Sequence, residues 1–169
     1  MPIEHDTVFV HTFGVFFNSF LKHTNKQKLQ VLPPTSITLV SDSHEVHVGD
    51  HIIILEEETE CHAIMIDDFK YVTKELTPRQ TWNFPVKSLS KKMDGNRVWK
   101  VNYAIEPIPL QDTMAIVSDC GNDSFHKNKL GGYDSNSWAI FCKTGYYVGP
   151  QRTKKFIEAI KQNNLSFTL

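Results

Sequence analysis

Cys61 and His62 stand side by side in an apolar stretch, and Ser135 lies far downstream in the run Asp134-Ser135-Asn136-Ser137-Trp138. A thiol or hydroxyl attacks an ester when a neighbouring base takes its proton and a third group holds that base in place. Cysteine suits this task because its thiol ionises near neutrality, more so beside an imidazole at a helix N-terminus. A serine hydroxyl is far less acidic and depends on a well-placed base. The chain has three cysteines, Cys61, Cys120 and Cys142, with no CxxC pair and no Cys/His cluster. This odd set predicts reduced thiols in an intracellular protein, neither a disulfide frame nor a zinc site. The histidines, among them His44, His47, His51 and His62, fall at irregular spacing, so no metal site and no cofactor are expected.

The elements that must position these groups read as a β-rich domain. Residues 36–41 are strand-like. Ile52-Ile53-Ile54-Leu55 is short and β-branched, so it reads as a buried strand within 51–55. Glu56-Glu57-Glu58 is a solvated turn, and Cys61 to Ile66 is a second apolar strand. Asp67-Asp68 turns the chain into 69–72, completing an antiparallel meander. Residues 73–97 are polar and read as an insertion or long loop. Val98 to Ile105 alternates well and is a further strand. Residues 106–132 carry Pro107, Pro109, Gly121, Gly131 and Gly132 and read as loop, apart from a short apolar run at Met114–Val117. Phe156, Ala159 and Ile160 predict an amphipathic helix over 151–162. Near the N-terminus Phe13, Phe16, Phe17, Phe20 and Leu21 fall on one helical face, followed by Lys22, Lys26 and Lys28. That face either packs on the core or touches a membrane.

The chain has 169 residues and a formal net charge of −1. That length suits one domain with a short appendage: a lead-in over 1–35 and a main domain over 36–169. The charge balance gives no basis for nucleic-acid affinity. No apolar run approaches the roughly 20 residues needed to cross a bilayer, and no signal peptide is evident. A cytoplasmic protein is expected, peripheral at a membrane if the phenylalanine face is exposed.

Two patches resemble the lecithin:retinol acyltransferase domain family, permuted relatives of the NlpC-type papain-like hydrolases. The first is Val48-Gly49-Asp50 with its strand, then Cys61-His62-Ala63-Ile64-Met65-Ile66-Asp67-Asp68 and Tyr71-Val72-Thr73. The second is Asp134-Ser135-Asn136-Ser137-Trp138-Ala139-Ile140-Phe141-Cys142-Lys143-Thr144-Gly145. Laid on the family pattern without gaps, the base histidine falls at Cys61, the orienting histidine at Thr73 and the nucleophilic cysteine at Ser135. Cys142, Lys143 and Gly145 match a second cysteine, a basic residue and a closing glycine that some members carry. The resemblance implies an α+β fold of the permuted papain-like type. Its antiparallel sheet of about five strands would pack a helix that starts near Asp134-Ser135, with flanking helices. It also implies phospholipid acyltransferase or phospholipase chemistry.

The substitutions at the three family positions point to a degenerate enzyme that acts by binding a protein partner or a lipid surface. Loss of nucleophile or base in a comparable triad costs on the order of a millionfold in turnover. Restoring Ser135→Cys, Cys61→His and Thr73→His together is then the change expected to recover activity. An active acyltransferase or phospholipase remains the alternative. It would use Ser135 or a cysteine, with His62 brought into the base position by a bulge between Asp50 and His62. Cys142 as the nucleophile competes with its reading as a small core hydrophobe. Cys120 falls in a loop and would be reactive if exposed. A PUA-type β-barrel that binds nucleic acid is a third reading, since it also uses a Gly-Asp turn before a strand.

Overall fold

A computed structural model of the chain describes residues 34–57, 59–79, 81–90, 97–103, 108–120, 135–145 and 150–162. The expected phenylalanine-faced helix lies outside these residues. The strands are β1 (Pro34–Leu39), β2 (His51–Glu56), β3 (Thr59–Met65), β4 (Lys70–Thr73), β5 (Glu75–Leu76), β6 (Trp82–Asn83), β7 (Val86–Ser88) and β8 (Arg97–Tyr103). The helices are α1 (Leu110–Cys120), α2 (Ser135–Thr144) and α3 (Pro150–Gln162). The fold is α+β. Six strands form one antiparallel sheet in the order β1-β8-β2-β3-β4-β7, and β5 and β6 pair separately.

Burial explains the order. Ile52, Ile53 and Ile54 are all inaccessible to solvent, so β2 is covered on both faces and sits inside the sheet. Ile52 and Ile54 join Ala63, Met65, Tyr71 and Val98 on one face, closed by Val40, Val46 and Leu89. Ile53, Trp99 and Val101 face the other way, onto Ile140 of α2 and Ile157 and Ile160 of α3. Ile64 and Val72 share that second face and meet Ile116 and Val117 of α1 and Trp138, Phe141 and Cys142 of α2. Helices α1, α2 and α3 therefore all pack on this second face.

Four expectations change. β1 begins at Pro34, where a proline is tolerated as the first residue of an edge strand. The stretch after Thr73 is not plain loop: it contains β5, β6 and β7, and β7 pairs with β4 to extend the sheet. Residues 110–120 are helix rather than loop, because the Pro109 carbonyl accepts from Asp112 and Thr113 and so opens α1. Cys120 is accordingly no loop thiol. It ends α1, is fully buried, and accepts from Trp138 Nε1 at 3.2 Å.

Candidate functional site

Two glycines at positive φ set the frame. Gly49 (φ 84) makes the turn into β2, donating to the Met65 carbonyl at 2.8 Å while Met65 N–H donates to the Asp50 carbonyl at 2.9 Å. A Cβ on Gly49 would collide with Leu110 Cδ1. The Gly49 carbonyl accepts from Lys143 Nζ of α2 at 3.0 Å, so the turn before β2 is tied to the helix bearing Ser135. Gly145 (φ 71) ends that helix, its N–H donating to the Phe141 carbonyl at 2.8 Å, as a left-handed C-cap does. Cys142 is fully buried among apolar neighbours, and burial together with Cys120 pushes its thiol well up from the usual range. It is a core side chain, not an exposed nucleophile.

Ser135 is the first residue of α2, and the helix N-terminus points it at β3. The His62 N–H donates to Ser135 Oγ at 3.1 Å. That amide lies where β4 stops, since the β3–β4 ladder ends at Ala63 and Thr73. Ser135 Oγ is also 3.5 Å from Asn136 Oδ1, a long contact. Among the described residues no histidine ring nitrogen is within hydrogen-bonding distance of this hydroxyl.

The structure divides the expected site residues between the two faces of the sheet. Side chains alternate along a strand, so Cys61 and His62 point in opposite directions. Cys61 lies on the face of Ala63 and Met65, and Thr73 on the face of Tyr71, away from the helices. There they meet: Cys61 Sγ is 3.1 Å from Thr73 Oγ1, while Thr73 donates to the His62 carbonyl at 2.7 Å. Because the threonine proton is used on that carbonyl, the thiol is the donor of the pair. Burial pushes the Cys61 thiol up, so it is not an activated thiolate. The gapless correspondence thus brings Cys61 and Thr73 together, yet sets both across the sheet from Ser135.

His62 is the residue on the helix side. No bulge is needed to put it there: β2 and β3 pair without interruption from His51–Ile64 to Glu56–Thr59. Its ring is engaged at both nitrogens. Nδ1 is 2.8 Å from His51 Nε2, and Nε2 is 2.8 Å from Glu60 Oε1. His51 Nδ1 is 2.9 Å from the Tyr103 hydroxyl of β8, and Glu60 Oε2 accepts from Lys161 of α3. Both imidazoles are inaccessible to solvent. Burial pushes His51 well below the usual histidine range, helped by the nearby His62 and Lys143. Burial alone would raise Glu60, but hydrogen bonds and charge from His62 and Lys161 outweigh it and hold the carboxyl at about 2.

His51 and Glu60 were not anticipated as partners, although the sequence carried the signal. Once Glu56 is paired with Thr59 across the hairpin, His62 faces Ile53, and His51 lies two residues along on the same face. Glu60 lies two residues before His62 and shares its face.

Beside Ser135 a cleft of about 490 Å³ opens between α2, α3 and the end of β3. Glu60, Ser135, Asn136, Gln151, Ile157 and Lys161 line it, with Lys154 and Glu158 alongside. Two carboxylates and two ammonium groups thus balance in charge, and Ile157 among the lining residues is buried. Among the described residues no group of His, Cys, Asp and Glu is arranged to hold a metal ion. Comparison with protein-family models, with curated proteins and with solved structures found no match.

Proposed function

We propose that this chain is a domain of the lecithin:retinol acyltransferase type that has lost catalysis and acts through protein or lipid binding at the cleft beside Ser135. The observation that carries the reading is the closure of His62. Its two nitrogens serve His51 and Glu60, so the imidazole of the residue whose amide meets Ser135 is unavailable to take the hydroxyl proton. With no base, that hydroxyl stays protonated at neutral pH. The resemblance is supported by the order of parts: a Gly-Asp turn into a buried strand, an apolar strand beside it, and a helix whose first residue abuts that strand.

An active enzyme using Ser135 and His62 is favoured by one observation, the placement of the His62 ring and Ser135 on the same side of the sheet. It would require His62 to leave Glu60. The nucleic-acid barrel reading draws no support from a sheet that runs from edge strand β1 to edge strand β7 and is covered on one face by helices. Co-sedimentation with vesicles of zwitterionic and anionic phospholipid tests the binding reading. Wild type should pellet with one or both, and Lys154→Glu, at an exposed position lining the cleft, should weaken this by about tenfold, the effect of about 1.4 kcal/mol of lost contact. If neither vesicle binds and affinity capture returns no partner lost in Lys154→Glu, the reading fails.

A further inference from the structure

Cys120 and Cys142 are free thiols, both fully buried, and they belong to one apolar cluster between α1 and α2. Cys120 is the last residue of α1, and Cys142 lies two residues before the end of α2. The Cys120 sulfur accepts from Trp138 Nε1 at 3.2 Å. Trp138 and Cys142 are four residues apart on α2, so they share one face of that helix, a turn from each other. The bond to Trp138 therefore seats the Cys120 sulfur on the face of α2 that carries Cys142, and the two thiols interact there. Either cysteine alone would pass as a small core residue. Two thiols that meet across a helix pair can also be joined.

We propose that Cys120 and Cys142 are a reversible redox pair, closed by a peroxide into a disulfide that staples the end of α1 to α2. Cys120, which receives the indole N–H, attacks the peroxide. An S–O bond forms, the O–O bond breaks, and the leaving oxygen departs with the thiol proton as water. Cys142 then attacks the sulfenic sulfur: the S–S bond forms, the S–O bond breaks, and a second water leaves with the Cys142 proton. The protein loses two electrons and two protons, and one peroxide becomes two waters. A small dithiol reverses the change by exchange and is itself oxidised to its disulfide. Burial pushes the Cys142 thiol well up, which suits the resolving role rather than the attacking one.

The position of the pair gives the bond a mechanical consequence. Lys143, next to Cys142, holds the Gly49 carbonyl, and Leu110 at the start of α1 lies against Gly49. The staple would lock together the two helices that meet the Gly49 turn. Neither sulfur lines the cleft, so the pair works whether or not the cleft binds a lipid or a protein. Cys61 takes no part, because it lies on the other face of the sheet against Thr73. Both sulfurs are buried, so a local opening must precede attack. Helix ends open most readily, and Cys120 is at one.

The reduced full chain is treated with hydrogen peroxide, its remaining thiols are alkylated with iodoacetamide in denaturant, and tryptic peptides are read by mass spectrometry without reduction. The expected product is an intrachain Cys120–Cys142 cross-link that dithiothreitol removes. Cys61 should be absent from it. The oxidised chain should unfold at a higher urea concentration than the reduced chain, because the bond constrains the unfolded state. Peroxide should give no such rise in Cys142→Ala. The proposal is overturned if Cys120 and Cys142 are both alkylated after oxidation, if either ends as a sulfinic acid or bonded to Cys61 or to another chain, or if the cross-link lowers the urea midpoint. Should Cys142→Ala fail to fold, the cross-link and urea midpoint of wild type decide alone.

Discussion

His62 is the residue on which the chemistry turns, because its amide meets Ser135 and its imidazole lies, with that of His51, on the side of the sheet where Ser135 begins α2. Both of its nitrogens are engaged, so adding a better nucleophile does not create a base. Ser135→Cys should therefore show no acyl transfer, and its thiol should react with iodoacetamide no faster than an ordinary exposed thiol at pH 7. The expected rescue by Ser135→Cys, Cys61→His and Thr73→His has to be revised. Residues 61 and 73 face away from α2, so histidines there would lie across the sheet from residue 135. The triple variant should be inactive, and loss of the Cys61–Thr73 and Thr73–His62 hydrogen bonds should destabilise it by roughly 1–3 kcal/mol. Urea unfolding of the triple variant checks the second point. The same residues predict the response to acid. His51 is held below its unfolded value of 6.5, so its contribution is present above that pH and is lost as the unfolded state takes up protons below it. Glu60 is depressed from 4.5 to about 2, so its contribution is present above 4.5 and is lost as the pH falls towards 2. Urea midpoints should fall in two stages on acidification, and Glu60→Gln should remove the lower stage.

At the scale of elements, the Gly49-Asp50 turn and the end of α2 are one unit, joined by Lys143. Gly49→Ala forces a side chain into positive φ and against Leu110, which should cost about 2–4 kcal/mol. Lys143→Met leaves the Gly49 carbonyl without its donor and should cost about 1–3 kcal/mol, read from chemical denaturation. The central strands were legible because their apolar runs are short, β-branched and bounded by turn residues. The start of α2 near Asp134-Ser135 was expected only from the family resemblance, whereas α3 was legible from its spacing of Phe156, Ala159 and Ile160. Helix α1 was hidden by Pro107 and Pro109, which read as loop punctuation although a proline also suits a helix start. Strands β5 and β6 are two residues each, too short for alternation to register. The candidate site was half legible. Ser135 and His62 were identified by type and position. The partition of Cys61 and His62 between opposite faces depends on strand register, which a gapless correspondence with another family does not encode.

For the whole molecule, the helices cover one face of the sheet and the cleft opens where α2 and α3 meet the end of β3. No helix among the described residues is long and apolar enough to cross a membrane. Contact with a lipid surface would therefore be made at the cleft or by the phenylalanine-rich segment near the N-terminus. Phe16→Asp with Phe20→Asp separates these. If the segment makes the contact, the double variant should lose vesicle binding and keep its unfolding transition; if it packs on the domain, the transition itself should drop. The central claim, a nucleophile position without a base, is tested most directly by incubating the wild-type chain with an acyl-labelled phospholipid and searching for an acylated residue by mass spectrometry. The prediction is an unmodified Ser135. An acyl group on Ser135 that disappears in His62→Ala would contradict it and establish a working serine–histidine pair.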